Sequence, residues 1–263
     1  MRFSTLTFTA FVLAAGAAGA VVASDDLTIV SKHTHDGKPA GTSTSYLASD
    51  HVRMAREDGH ETIVDLKTGV MTTLDGKKKT YYTITKQDME QLKVKMQEKM
   101  NSPEMKKAME AMQSMSAGMS TSFDVKKTGA TRKIAGFSCE EWTITMGTLS
   151  TIKECVTSEL QYPAHAWDTY KDFSESMKNM TSAFGPMAKS GAELVEKLKN
   201  MKGFPVASST VIDVMGNKTT IESEVIEVRR GSISASAWEI PAGYTKIENP
   251  MLKAFESHGR PHR

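Results

Sequence analysis

Short segments in which hydrophobic and polar residues alternate occupy residues 27–85, and turn residues separate them. The breaks include Asp36-Gly37, Asp58-Gly59 and Asp75-Gly76, which supply the turn conformations of hairpins. Alternation with a period of two is typical of strands that have one covered and one solvated face. The pattern predicts an antiparallel meander with strands at 27–35, 41–48, 52–56, 61–66, 70–74 and 80–85.

The hydrophobic period becomes helical after Thr85. Thr85 and Asp88 have the spacing of a capping box, with Asp in place of the usual Glu or Gln. Ser102-Pro103 would restart the helix, with Ser as its cap and Pro at its first position. We predict two joined amphipathic helices over 86–117, with an apolar stripe that contains Met89, Leu92, Met96, Met100, Met105, Met109 and Met112.

The second half of the chain mixes strands and helices. Alternation predicts strands at 121–127 and 131–134, a hairpin over 138–157, strands at 206–214 and 219–229 joined by Gly216-Asn217, and a last strand near 234–239. Helical spacing of apolar residues, Trp167 among them, predicts helices at 166–183 and 192–201.

The two cysteines are symmetric about Gly147 in the predicted hairpin. Pairing centred on Gly147 places Cys139 opposite Cys155, Glu141 opposite Lys153 and Thr143 opposite Thr151, with Trp142, Ile144 and Ile152 on the other face. Directly opposed residues are close enough for a disulfide, which would stabilise the fold by roughly 3 kcal/mol. We therefore predict a bond between Cys139 and Cys155; the alternative is two unrelated buried thiols.

The ends of the chain indicate export. Arg2 precedes an uncharged apolar stretch, and small residues before Ser24 fit a cleavage site, so 1–23 is interpreted as a signal peptide. No cysteine follows that stretch and no later segment has the ~20 apolar residues of a membrane span, so a periplasmic protein without a lipid anchor is expected. Residues 24–252 are predicted to form one domain and 253–263 a flexible tail.

The charge and the motifs argue against two classes of function. The net charge is only +2 and no long basic run occurs, which disfavours nucleic acid as a partner. No nucleophile, phosphate-binding or zinc-protease motif occurs, so no catalytic residues, cofactor or enzyme activity are predicted. His33 and His35 share a strand face, yet no third metal ligand is identifiable, and a solvated strand end explains them more simply.

Methionine is the unusual residue, at 18 of 263 positions. Three interpretations stay open: the side chains pack helices against a sheet, they line an adaptable surface for apolar ligands, or they bind Cu(I). The copper hypothesis uses Met109, Met112, Met115 and Met119.

Several segments resemble an exported bacterial family of unassigned function that is thought to share the LolA/LolB-type lipoprotein-carrier fold. They are 46–54, 62–69, 78–85, 134–142, Lys202-Gly203-Phe204-Pro205 and Ile240-Pro241-Ala242-Gly243-Tyr244. The resemblance covers nearly the whole mature chain. It implies an α+β fold, an open curved antiparallel sheet or half-barrel, with helices over its concave face.

The leading hypothesis is a non-enzymatic periplasmic protein that binds a lipid, an acyl chain or an apolar partner in a Met-rich groove. The expected lining is Met89, Leu92, Met96, Met100, Met105, Met109 and Met112, with Trp142 and Trp167. The alternatives are a periplasmic Cu(I)-binding protein and an envelope scaffold that meets a protein partner through its helices.

Overall fold

The protein is built on a large, open β-sheet. The computed structural model describes residues 26–107, 123–161, 201–214, 216–250 and 252–253. Its strands are β1 (Leu27–His35), β2 (Lys38–Leu47), β3 (His51–Arg56), β4 (His60–Asp65), β5 (Met71–Asp75), β6 (Thr80–Ile84), β7 (Phe123–Ile134), β8 (Phe137–Met146), β9 (Ser150–Thr157), β10 (Phe204–Val214), β11 (Asn217–Arg230) and β12 (Thr245–Lys246).

All twelve strands belong to one sheet in the order β12-β6-β5-β4-β3-β2-β1-β11-β10-β9-β8-β7. Every pairing is antiparallel except the short parallel contact between β12 and β6. The predicted meander of six strands is confirmed as β1 to β6, because Gly and Asp at the breaks supply the required turns. The pairing of β11 with β1 joins this meander to the second half of the chain.

The disulfide between Cys139 and Cys155 is present, with a Cα–Cα distance of 5.3 Å, but the predicted register of its hairpin is wrong by two residues. Glu141 opposes Cys155, and Thr143 opposes Lys153. The turn uses three residues after Met146, because the N–H of Leu149 donates to the carbonyl of Met146 at 3.1 Å. A shift of two residues keeps every side chain on its face, so the cysteines still meet, now diagonally.

The main core surrounds this disulfide. Its buried members are Leu27, Ile29, Leu47, Ile134, Cys139, Cys155, Leu160, Phe204, Val206, Ala207 and Val225. Gly203 leads the chain into β10 so closely past β9 that a Cβ at this position would lie 2.2 Å from the carbonyl oxygen of Thr157. With φ at +132°, this position requires glycine, which fixes how β10 enters the core.

The helix α1 (Lys86–Met100) begins at the predicted capping box. The side chain of Asp88 accepts a hydrogen bond from the N–H of Thr85 at 2.7 Å, and the N–H of Asp88 donates to the Thr85 hydroxyl at 3.1 Å. The chain turns at Asn101, and helix resumes at Pro103 under the predicted Ser102 cap. The predicted helix over 166–183, the continuation over 108–117 and residues 192–200 of the predicted helix over 192–201 lie outside the described residues. Met201, the last residue of that predicted helix, is not helical.

Two predicted elements are corrected. The separate strands at 121–127 and 131–134 are one strand, β7, with an irregularity between Lys127 and Thr131. The predicted strand near 234–239 is wrong: Ala235–Trp238 is a 3₁₀ helix. The edges of β11 are already occupied by β1 and β10, so the chain that leaves it has no adjacent sheet edge to join.

The 3₁₀ helix lies against β3 instead. The indole ring of Trp238 stacks on the imidazole of His51, with ring centroids 5.2 Å apart. The guanidinium of Arg53 donates to the carbonyl of Ala237 at 2.6 Å and is paired with the carboxylate of Glu61. Within the described residues, no helix has the length and apolar character that crossing a membrane requires.

Candidate functional site

The structure describes only part of the predicted methionine groove. In α1, Leu92 is buried and Met89 is half-buried, and Met105 is also half-buried. The side chains of Met96 and Met100 are not described. Met109, Met112 and Trp167, as well as the copper candidates Met115 and Met119, lie outside the described residues.

Trp142 belongs to a second apolar cluster, on the opposite face of β8 and β9 from the disulfide. Ile144, Val156 and Met201 are the buried members of this cluster. Val125, Trp142 and Ile152 are half-buried and pack against them. The sequence predicted that Trp142, Ile144 and Ile152 share a face, and the observed register confirms it.

An apolar row crosses the sheet on this face, at right angles to the strands. Direct pairings join one residue from each of the strands β7, β8, β9, β10 and β11. In spatial order these residues are Val125, Ile144, Ile152, Thr210 and Ile221, and we call them the apolar row. Ile144 is only 4% exposed and Ile221 is 44% exposed, so the row is covered at the β8 end and open at the β11 end.

A polar row lies beside it on the same face. Trp142 opposes Glu154, which is followed across the sheet by Ser208, Ser223 and His33. We call Glu154, Ser208, Ser223 and His33 the polar row. The two rows are two residues apart along each strand, which corresponds to about 7 Å. Polar and apolar ligand groups can therefore be contacted side by side on one surface.

Burial disfavours the charged forms of both ionisable members of the polar row. It raises the pKa of the Glu154 carboxyl above its ordinary value. Burial, and secondly the nearby positive charge of Arg56, lower the pKa of His33. The Nε2 atom of His33 lies 2.8 Å from the Ser43 hydroxyl, which fixes the ring against β2.

A cavity of about 560 Å³ lies beside Trp142 at the β7 edge of this face. Trp142 and Val156 supply part of its apolar wall, and Lys127, Glu140, Glu159 and Lys202 are the charged groups that line it. Both carboxylates are already engaged: Glu140 pairs with Lys127 at 2.7 Å, and Glu159 accepts from the N–H of Ser138 at 2.9 Å. The cavity therefore offers space next to Trp142 with balanced charges.

Metal binding receives no support from the described part of the chain. No cluster of three His, Cys, Asp or Glu side chains with metal-binding geometry occurs among these residues. His33 is bonded to Ser43, and the Nδ1 atom of His35 lies 3.8 Å from the exposed carboxylate of its neighbour Asp36. The two histidines share a face, as their spacing predicts.

The sequence predicted Trp142 as a lining residue but did not predict the two rows. Each row depends on the neighbours of β11, which pairs with β10 on one side and with β1, far away in the sequence, on the other. Ser208 and Ser223 are ordinary serines in alternating strands, and only the long-range register places them beside Glu154 and His33. The local sequence offered one signal of a polar site, the carboxylate of Glu154, which lies on the same face of the cysteine hairpin as Trp142, Ile144 and Ile152.

Comparisons with known proteins give a family and distant structural likenesses. A family model described as a domain of unknown function (DUF4412) matches residues 28–244. A structure of PNGF-II is 10% identical over 88% of this chain and 32% of that chain, with a TM-score of 0.39. A structure of MucB is 9% identical over 83% of this chain and 58% of that chain, with a TM-score of 0.38.

The complex of Pseudomonas aeruginosa MucA and MucB is similar at the same level, with 11% identity over 83% of this chain and 56% of that chain and a TM-score of 0.39. The chain thus spans about a third of the PNGF-II chain and less than two thirds of the MucB chains. No curated protein matches the sequence significantly.

Proposed function

Because the chain belongs to the DUF4412 family, a domain of unknown function, we propose from the geometry of the Trp142 face that it is a non-enzymatic binding protein for a lipid with a long acyl chain. The observation that carries the proposal is the apolar row. It runs across five strands and opens at Ile221, so an extended apolar molecule has a continuous surface to lie on.

The length of the row suits a long acyl chain. Strands lie about 4.8 Å apart, so the four intervals from β7 to β11 span roughly 19 Å. Burial contributes about 0.8 kcal/mol per methylene, and a micromolar Kd corresponds to about −8 kcal/mol. More than about ten methylenes are therefore needed, since association also has an entropic cost. Short chains should bind weakly at this surface.

Two exposed isoleucines support a ligand at the open end. Ile212 and Ile221, on β10 and β11, are 37% and 44% exposed. Ile221 is the last member of the apolar row, and Ile212 lies two residues along β10 from the row's member Thr210. Both therefore continue the surface that begins at the buried Ile144 and the half-buried Ile152. Contiguous apolar surface of this kind is typical of binding sites, whereas single exposed apolar residues are common everywhere.

We also propose where the protein acts and how its helices lie on the sheet. The protein is exported to the periplasm through residues 1–23, and helices cover the concave face of the sheet as in LolA/LolB-type carriers. The open sheet, the disulfide and the start of α1 directly after β6 support this arrangement. The Met-rich segment then covers the ligand from the helix side, and the Trp142 face contacts it from the sheet side.

Native mass spectrometry of protein taken from the periplasm tests the proposal, together with the affinity of fatty acids of increasing length. We expect a co-purifying lipid, and affinity that rises steeply beyond about ten carbons. If the protein shows only its own mass and binds no fatty acid of any length, lipid binding is contradicted. Retention of a protein partner without lipid would support the envelope-scaffold alternative instead.

A pair of matched variants locates the ligand. Ile221→Lys adds a charge to the open end of the apolar row at an exposed position, so the fold should tolerate it. Ile226→Lys is the control, because Ile226 is on the same strand and 48% exposed but lies outside both rows. We expect a loss of about tenfold or more in acyl-chain affinity for Ile221→Lys and less than about twofold for Ile226→Lys.

A further inference from the structure

We propose that the polar row binds an uncharged, hydroxyl-bearing head group, so that the preferred ligand is a single-chain lipid of the monoacylglycerol class. This inference rests on the proposed function, because it assigns the head of a lipid whose chain lies on the apolar row. The two rows lie side by side about 7 Å apart, so a chain on one row keeps its head within reach of the other.

The hydroxyls of the polar row are available for a ligand. Within the described part of the chain, the side chains of Ser208, Ser223 and Glu154 make no hydrogen bond, although all three are half-buried. Water reaches a half-buried hydroxyl only in part, so a hydrogen bond from a ligand to this hydroxyl stabilises the complex. Ser209, which points to the other face of β10, is different because its hydroxyl donates to the carboxylate of Glu222.

The carboxyl group of Glu154 disfavours an anionic head group on the polar row. A carboxylate or phosphate would lie against the Glu154 carboxyl, and this repulsion is stronger in a half-buried site than in water. A neutral head with hydroxyls avoids this cost.

The chemistry of the row also matches hydroxyl groups. Serine hydroxyls donate and accept, and a neutral imidazole offers one donor and one acceptor. Burial lowers the pKa of His33 and so favours its neutral ring, while the Glu154 carboxylate accepts hydrogen bonds from hydroxyl donors. A glycerol head carries paired hydroxyls, each of which is a donor and an acceptor, so it can match several members of the row at once.

The test compares two probes that share one chain, monoolein and oleate, on the full exported chain by calorimetric titration below their aggregation concentrations. We expect the unsubstituted protein to prefer monoolein by at least tenfold. The double variant Ser208→Ala/Ser223→Ala should reduce this preference to within twofold while the affinity for oleate stays the same. Ser209→Ala is the matched control on the opposite face and should keep the full preference.

Glu154→Gln separates the charge of the carboxyl group from its hydrogen bonding. The amide oxygen still accepts hydrogen bonds but the side chain cannot carry a charge, so we expect monoolein binding to persist and oleate binding to tighten several-fold. Equal or tighter binding of oleate by the unsubstituted protein would overturn the inference. An unchanged preference in the double variant, or a lost preference in Ser209→Ala, would overturn it as well. In those cases the protein still binds acyl chains and the proposed function stands. Failure of both probes to bind would overturn the proposed function itself.

Discussion

Removal of the disulfide should cost the protein a large share of its stability, and the structure sets the magnitude. The bond closes a loop with a sequence separation of 16 residues. In the chain-entropy model a loop of this length contributes about 3 kcal/mol to the free energy of unfolding. Cys139 and Cys155 are 1% and 0% exposed, so replacing both with alanine also leaves two small voids, at about 1 kcal/mol each.

The expected loss for Cys139→Ala/Cys155→Ala is therefore about 5 kcal/mol, of which about 3 belongs to the cross-link. Urea unfolding followed by far-UV circular dichroism measures this loss. With an m-value of about 3 kcal/mol per molar, the midpoint should fall by roughly 1.5 M. The unsubstituted chain unfolded and refolded in reductant keeps the sulfur volume, so its midpoint should fall by only about 1 M.

Two results would contradict the expected loss of stability. A variant whose midpoint lies within a few tenths of a molar of the unsubstituted protein would mean that the hairpin holds its register without the bond. Rapid reduction of the native protein would contradict the burial of both sulfurs. Because they lie in the core, we expect reductant to open the bond no faster than the surrounding core opens.

Three further predictions concern local structure and pH. Gly203→Ala should destabilise the protein by more than about 2 kcal/mol in urea unfolding, because the added Cβ would clash with the backbone of Thr157. Gly231→Ala is the control, since Gly231 also has a positive φ but has open space around it, and it should cost less. Equal costs would contradict the close approach at Gly203. Thr85→Ala should cost about 1 kcal/mol and lower the protection of the first turn of α1 in hydrogen exchange, and unchanged exchange would contradict the capping box. Hydrogen bonds from Lys67 and His51 lower the pKa of Asp50 to about 2. The stability that the Asp50 carboxylate contributes is therefore present above its ordinary pKa of 3.8 and is lost as the pH falls through about 2. Asp50→Asn should be less stable than the unsubstituted protein at pH 7 and equal to it below pH 2, and a difference that persists in acid would contradict this origin of the stability.

Local sequence signals predicted the first half of the sheet well. Turn residues such as Asp36-Gly37 fix hairpins over a few residues, so β1 to β6 lie within three residues of their predicted bounds. The capping box at Thr85 was equally local. The cysteine hairpin shows the limit of this reasoning: the faces of Trp142 and Cys155 were right because parity survives a shift of two, but the three-residue turn could not be identified from the symmetry of the cysteines.

Long-range pairing accounts for what the sequence did not predict. Polar and apolar residues alternate in the sequence of the 3₁₀ helix that carries Trp238, as they do in a strand. This segment cannot pair with β11, because β1 and β10 already occupy both edges of that strand. The polar row likewise exists only because β11 lies between β10 and β1. Its members are far apart in the sequence, and no local pattern distinguishes Ser208 or Ser223 from other strand serines.

Photo-crosslinking maps where an acyl chain lies on the native protein and so tests whether the apolar row holds the ligand. A fatty acid with a diazirine near the end of its chain would be bound, irradiated and located by peptide mass spectrometry. We expect labels on β9, β10 and β11 at Ile152, Ile212 and Ile221, or at other residues on the same face of these strands. Labels on the opposite face of the same strands, at Ser209 or Glu222, or labels spread evenly over the surface, would contradict this expectation.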